Sequence, residues 1–472
     1  MMITPARTSL HLSIKLFTIF FSLTFLANIG AAEVEKSTIA PVHEFMLDNG
    51  MKVLVKQDKR APIVAMYVWY KVGSSYEKGG STGLSHLLEH MMFKGTEKHP
   101  TGEFERILAE NGAQNNAFTS QDYTAYYEVI ASDRLDVAMD LEADRMRGVL
   151  LPPVEFKKEL EVVKEERRWR VEDKPTSMTY EQFQAVAFLN SPYRIPAIGW
   201  MNDLDNMKVE DARAWYQKWY APNNATLVVV GDVDPEAIQA MATKHFASIA
   251  KSEIPAVKPQ KEVKQIGMRS IKVKVPAKVP YMIMGYKTPG LINAKQKWEP
   301  YALEVLASIL SGGDSSRLIS KLVRGEEIAS SVSASYDGYG RLPDVFTFSG
   351  TPVKKSDVAS LKKAIELEIE NIKTSLVSTE ELERVKAQTI ANEVYDQDSI
   401  QHQATLLGFL ESVGLGYKLM DDYVENISAV TAEQVQAVAK KYLVEDQLTF
   451  AELVPQAIDP NKPKGVAPRF KR

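Results

Sequence analysis

His86, Glu89 and His90 stand in the segment Gly83-Leu-Ser-His-Leu-Leu-Glu-His-Met-Met-Phe-Lys-Gly95. Leu84, Leu87, Leu88, Met91 and Met92 recur there at the spacing of a helix lying on a core. At 100° per residue the two histidines and the glutamate fall together on the other side, within roughly 100° of arc. A helix over 82–93 therefore buries its apolar face and presents two imidazoles one turn apart with a carboxylate between them. Imidazoles at i and i+4 can grip one Zn²⁺, and the glutamate beside them can take a proton from water. His-x-x-Glu-His is the reverse of His-Glu-x-x-His, and both are catalytic zinc motifs. The bland alternative is a pair of solvent-facing histidines on an amphipathic helix.

A catalytic zinc needs a third protein ligand and an open position. The 472 residues contain no cysteine and only seven histidines. Disulfides and thiolate sites are thereby excluded, and the third ligand must be His, Asp or Glu. Candidates lie in a helix expected from Glu155 to about Arg170, in Glu159-Leu-Glu-Val-Val-Lys-Glu-Glu166. Glu159 and Glu166 are seven apart and share a face, whereas Glu161 and Glu165 point elsewhere. Spacing alone does not choose among these acids, because most carboxylates on such a helix are simply solvated. Arg167, Arg168 and Arg170 are read as a solvated basic helix end rather than as groups that tune the acids.

The elements that must position these residues follow from the rest of the chain. Its length predicts two or more domains. A formal net charge of −4 gives no electrostatic reason to expect nucleic acid. Arg7 and Lys15, an apolar run from Leu16 to Ala27 and small residues up to Ala32 have the layout of a secretory signal peptide. Residues 1–32 are therefore set apart, with a cut expected after Ala32 and an exported, periplasmic or secreted, product. An uncleaved anchor is the alternative, and the mature chain shows no other segment apolar enough to span a bilayer.

Past the leader, Met51–Gln57 and Ile63–Val72 are expected to pair as a hairpin, followed by helices at 82–93, 102–111 and 133–147 and a strand at Thr124–Ala131. Helices at 209–219 and 235–249 flank a buried strand at Ala225–Val233. The stretch 205–220 is echoed by 426–442, each followed by a strand, and Met66–Gly73 is echoed by Met282–Gly290. Self-similarity at about 210 residues suggests a duplicated domain. The expected fold is α+β, with two homologous domains, each a mainly antiparallel sheet with helices packed on one face. The boundaries are 33–253 for the N-terminal domain, 254–265 for an exposed linker, 266–455 for the C-terminal domain and 456–472 for a basic, proline-rich tail.

His86-Leu-Leu-Glu-His90 with Met-Met-Phe-Lys-Gly-Thr96, then Asn115-Asn-Ala-Phe-Thr119, then Glu159–Arg167 resemble the pitrilysin/insulinase family of inverted zincins. The closer likeness is to its processing-peptidase-like branch, and it covers essentially the whole mature chain. The resemblance implies that Glu166 is the third zinc ligand beside His86 and His90, that Glu159 supports the site and that Glu89 activates the water. It also implies that Asn116 and Ala117 bind substrate, with an extended peptide added to a sheet edge beside the metal.

Ser315-Ser-Arg-Leu318 matches a further family motif without gaps to Ile328-Ala-Ser-Ser-Val332. Active members usually carry an Arg and, seven residues later, a Tyr there, to hold the substrate carbonyl. Val323 and Ser330 occupy those positions here, and Arg324 and Tyr336 miss the register. Preorganised donors of this kind supply ~3 kcal/mol of transition-state stabilisation. The expectation is therefore a zinc endopeptidase acting on peptides or unfolded polypeptides as the metal-bearing subunit of a hetero-oligomer, whose homologous partner supplies the Arg/Tyr pair. The rival is a non-catalytic peptide-binding or scaffold subunit of the same fold. A zinc hydrolase acting on something other than peptides is the third reading, for which no further signature exists.

Overall fold

The computed structural model describes residues 40–459. The expected leader, its cut after Ala32 and the tail from 460 onward lie outside the described residues. Among the described residues no helix is long and apolar enough to cross a membrane.

Six strands form the first sheet: β1 (Val42–Met46), β2 (Lys52–Gln57), β3 (Ile63–Tyr70), β4 (Gln114–Thr119), β5 (Thr124–Ala131) and β6 (Ala225–Gly231). Their order is β1-β2-β6-β3-β5-β4. The hairpin expected between β2 and β3 does not form, because β6 lies between them. It runs parallel to β2 (Lys52↔Thr226) and antiparallel to β3 (Tyr70↔Ala225). Every residue of β6 is buried, and a strand apolar on both faces gains most in mid-sheet. Local sequence signals the turn at 58–62 but not the strand that arrives from position 225.

Five more strands form the second sheet: β7 (Arg269–Pro276), β8 (Tyr281–Thr288), β9 (Ala329–Ser335), β10 (Asp344–Pro352) and β11 (Leu448–Gln456). The order β7-β11-β8-β10-β9 repeats that of β2-β6-β3-β5-β4. The directions repeat too, since β11 is parallel to β7 and antiparallel to β8. The helix Val209–Trp219 leads into β6 as Ala432–Tyr442 leads into β11. The two domains are thus homologous in topology.

Each domain's own helices cover one face of its sheet and enclose a large apolar core. The opposite faces are closed by an exchange. The Pro175–Ala187 helix of the first half packs on β7, β8 and β11, setting Phe183 against Gly285. The Ile400–Val413 helix of the second half packs on β3 and β6, setting Gly408 against the Trp69 indole. A Cβ at either glycine would overlap the facing ring. Each half therefore completes the other's second core, one around Trp69 and Leu407 and one around Phe183 and Ile283.

The stretch between the halves carries no regular element from 248 to 268 and is mostly exposed, yet Glu262 fastens it. Its carboxylate accepts the N–H groups of Leu189, Asn190 and Ser191 and pairs with Lys287 on β8 at 2.6 Å.

Candidate metal centre

The helix Leu84–Met91 forms where expected. Gly83 precedes it at φ +87, a left-handed conformation that favours glycine, and a Cβ there would overlap the Ile198 carbonyl. Glu77 holds the helix start by accepting the N–H groups of Gly83 and Ser85, both at 2.7 Å. Burial pushes the Glu77 carboxyl up to about 7 even against those two bonds. Leu84, Leu87, Leu88, Met91 and Met92 all enter the core, which turns His86, Glu89 and His90 toward the Pro153–Arg167 helix.

That second helix starts on a proline, which suits a first-turn position. Phe156, Leu160 and Val163 form its buried stripe, and Glu166, 0% exposed, continues it. Glu161 and Glu165 point to solvent. Nearness to the apolar stripe separates Glu159 and Glu166 from Glu161 and Glu165, and complete burial in the fold distinguishes Glu166 from Glu159, whose side chain is 12% exposed. Beyond Arg167 the helix widens into a π turn, Arg168–Glu172. This brings Arg170 Nη2 to 2.7 Å from Glu166 Oε1. The reading of a solvated basic end holds for Arg168 alone, since Arg167 is buried on Glu181 and the Gly199 carbonyl.

His86 Nε2 lies 3.6 Å and His90 Nε2 3.3 Å from the same atom, Glu166 Oε2. Four-coordinate zinc with bonds near 2.1 Å keeps its ligand atoms about 3.4 Å apart, so this spacing fits. Among the described residues, His90 Nε2 and Glu166 Oε2 are buried and make no hydrogen bond of acceptable geometry. Buried polar atoms left so are costly unless a further group satisfies them. Two imidazoles and a carboxylate are a donor set for zinc, and no other set of three such ligands converges among the described residues.

The electrostatics agree. Burial lowers His90, but the carboxylates of Glu159, Glu166 and Glu89 outweigh it and raise the imidazole to about 9. Burial raises Glu166, but His90, His86 and Arg170 outweigh it and hold the carboxyl at about 2. Three carboxylates thus surround two imidazoles, an arrangement that favours a cation.

Glu159 Oε2 lies 3.2 Å from His90 Nδ1, and its Oε1 lies 2.8 Å from Lys94 Nζ. Glu89 is 2% exposed, and its Oε2 accepts the Thr119 hydroxyl at 2.7 Å. Asn116 and Ala117 sit on β4, the last strand of its sheet, opposite Tyr127 and Tyr126. Beyond the end of β4, Thr119 and His86 border a cavity of about 660 Å³, also walled by Tyr180, Tyr193 and Tyr281. Glu77, Lys94 and Thr119 carry roles that sequence reasoning missed. Thr119 was inside a quoted motif, but nothing local names its partner.

Val323 and Ser330 line a shallow recess together with Glu327, Lys354 and Lys355. Tyr336 donates its hydroxyl to the Pro289 carbonyl at 2.6 Å, and Arg324 is exposed. The Glu299–Ser311 helix packs on β9 as Leu84–Met91 packs on β4.

Residues 52–199 match the family model described as Insulinase (Peptidase family M16), and residues 206–389 match the Peptidase M16 inactive domain. Zinc protease PqqE of Helicobacter pylori is 32% identical over 453 residues, covering 94% of this chain and 100% of that protein. The uncharacterized zinc protease YmxG of Bacillus subtilis is 26% identical, covering 86% and 96%. The crystal structure of a protease from Helicobacter pylori is similar at TM-score 0.83 and 31% identity, covering 88% of this chain and 100% of that one. The periplasmic protease PqqL from Escherichia coli shares the fold at TM-score 0.75 and 19% identity, with 89% and 49% covered.

Proposed function

The chain belongs to the insulinase family of peptidases, family M16, and on that premise we propose that it is a zinc-dependent endopeptidase. Its substrates are peptides or unfolded polypeptides. The observation that carries this reading is the convergence of His86, His90 and Glu166 on one point, with Glu89 held beside them.

His86, His90 and Glu166 hold the metal, and Glu159 orients the His90 ring through Nδ1. When bound, zinc supplies Lewis-acid chemistry, polarising a carbonyl and lowering the pKa of a water. Glu89 accepts the water's proton at its carboxylate as the oxygen attacks, and delivers it to the leaving amine. An extended substrate adds to β4 at Asn116 and Ala117, so that backbone hydrogen bonds set its register. Such binding needs an unfolded strand, which excludes compact folded proteins.

The oxyanion donors come from a homologous partner subunit in this reading, because Val323 and Ser330 line a recess that offers no Arg/Tyr pair. Export follows from the leader in the sequence, with a periplasmic or secreted mature chain beginning after Ala32. N-terminal sequencing of the mature protein tests that point.

A second reading, a non-catalytic peptide-binding subunit, is favoured only by the match of 206–389 to an inactive domain. Metal content and turnover separate the two. The enzyme binds about one zinc per chain and cleaves a fluorogenic peptide, alone or more strongly with a homologue carrying the Arg/Tyr pair. Glu89→Gln keeps the zinc and stops turnover. Absence of zinc from the pure chain, or full turnover in Glu89→Gln, overturns the proposal.

A further inference from the structure

Thr119 is the last residue of β4 and pairs with Thr124 on β5. Its Oγ1 lies 2.7 Å from Glu89 Oε2, so the hydroxyl donates to the carboxylate. Thr124 Oγ1 lies 3.4 Å behind it and donates in turn to the Val72 carbonyl at 2.9 Å. Glu89 is almost completely buried. In so dry a place a hydroxyl bond to an anion is stronger than the same bond in water. Threonine also suits the role, since its β-branch restricts χ1 on a strand and so fixes the hydroxyl's direction.

The backbone that carries Thr119 is held from both halves of the molecule. Ser74 and Ser75 donate their N–H groups to the carbonyls of Ser120 and Gln121 at 3.1 and 2.8 Å. Gly73 lies against this turn so closely that a Cβ would overlap it. Asp122 accepts the Ser75 hydroxyl at 2.7 Å, the Tyr193 hydroxyl, and Nε of Arg341 from the second half at 3.1 Å. The donor that meets Glu89 therefore projects from a braced strand end.

We propose that Thr119 is a positioning residue for the general base: its hydroxyl holds Glu89 Oε2 and fixes the rotation of the carboxylate toward the attacking water. This rests on Glu89 being the base. A glutamate has three rotatable bonds, and losing this hydroxyl removes one constraint on where its carboxylate points. The expected effect of losing the anchor is roughly 10- to 100-fold in kcat, the scale of a hydrogen bond to a charged group.

The test compares the full chain with Thr119→Val, Thr119→Ser and Glu89→Gln, assayed with the partner homologue where activity requires it. Thr119→Val is expected to bind zinc and melt as the wild type does, to keep KM, and to lose kcat by the stated factor. Thr119→Ser restores most of the loss. On the Glu89→Gln background, Thr119→Val leaves peptide affinity unchanged. Wild-type kcat in Thr119→Val alongside an inactive Glu89→Gln overturns the positioning role and leaves the base in place. Full turnover in Glu89→Gln instead removes the reading on which the proposal rests. Weakened peptide affinity on the Glu89→Gln background assigns Thr119 to substrate binding and also overturns it. Thr119→Ala is read in the same way should the valine variant melt early.

Discussion

Nδ1 of His90 lies 3.2 Å from Oε2 of Glu159. With that nitrogen facing a carboxylate, the ring turns Nε2 toward Glu166, 3.3 Å away. Glu159 is steadied in turn by Lys94 at 2.8 Å. The chain Lys94–Glu159–His90 thus couples a surface lysine to the orientation of a buried imidazole, and the carboxylate makes that imidazole a better donor.

Glu159→Ala is expected to weaken zinc binding by roughly 10- to 100-fold while leaving the fold intact. Glu159→Gln keeps an acceptor for Nδ1 and should lose less. Competition against a chromophoric chelator reads both. Wild-type affinity in the alanine variant would remove Glu159 from its supporting role.

Zinc should stabilise the folded chain by mass action. At a free concentration about 1,000 times Kd the gain is about 4 kcal/mol. The melting temperature of the wild type is expected to rise with zinc and fall back with chelator. His86→Ala and Glu166→Gln should show little of this rise. Equal shifts in all three proteins would place the zinc elsewhere.

The helix Leu84–Met91 was legible because its two halves of information are local: an apolar stripe and three chemical residues on the other face. The duplicated topology was legible from the echo of 205–220 in 426–442. Glu166 needed the family resemblance, because Glu159 lies as near as it does to the stripe of Phe156, Leu160 and Val163. What stayed hidden is long-range. Nothing near β2 and β3 announces that β6 will separate them. Nothing in Ile400–Val413 says that its apolar face belongs to the first sheet rather than the second. Thr119 and Glu89 are 30 residues apart, and only the folded strand brings them together.

The exchanged helices give a direct stability test. Gly408 sits against the Trp69 indole with no room for a side chain. Gly408→Ala is expected to destabilise by about 1–3 kcal/mol, the usual cost of overpacking a core. Denaturant unfolding should show a lower midpoint with an unchanged slope. An unchanged midpoint would mean that the helix does not press on Trp69.

Glu262 links stability to pH. Burial raises its carboxyl, but Lys287 and the N–H groups of Ser191, Leu189 and Asn190 outweigh this and hold it at about 2, below the ordinary 4.5. A carboxyl depressed on folding contributes stability that is complete above its unfolded pKa and lost as pH falls through the folded value. Glu262→Gln should therefore melt earlier than wild type at neutral pH. The gap should narrow as pH falls from 4.5 toward 2. A gap that stays constant across that window would contradict the assignment.

Arg341 and Asp122 join the second half to the turn that follows Thr119. Asp122 is 3% exposed, and Arg341 reaches it with both its backbone N–H and Nε, while Nη2 donates to Ser75 and the guanidinium lies over the Tyr76 ring. A lysine has neither the fork nor the flat face to make these contacts together. Arg341→Met leaves a buried carboxylate without its cation, and breaking such a pair costs about 3–5 kcal/mol. The lower end applies because the Arg341 side chain is 23% exposed. Asp122→Asn combined with Arg341→Met should recover part of that loss, since no uncompensated charge remains. The coupling in a double-mutant cycle is then at least about 1 kcal/mol, as for residues in direct contact. Because that turn directly follows Thr119, Arg341→Met should also lower kcat at unchanged zinc content. Strictly additive stabilities together with an unchanged kcat would show that the second half does not brace the metal site through this contact.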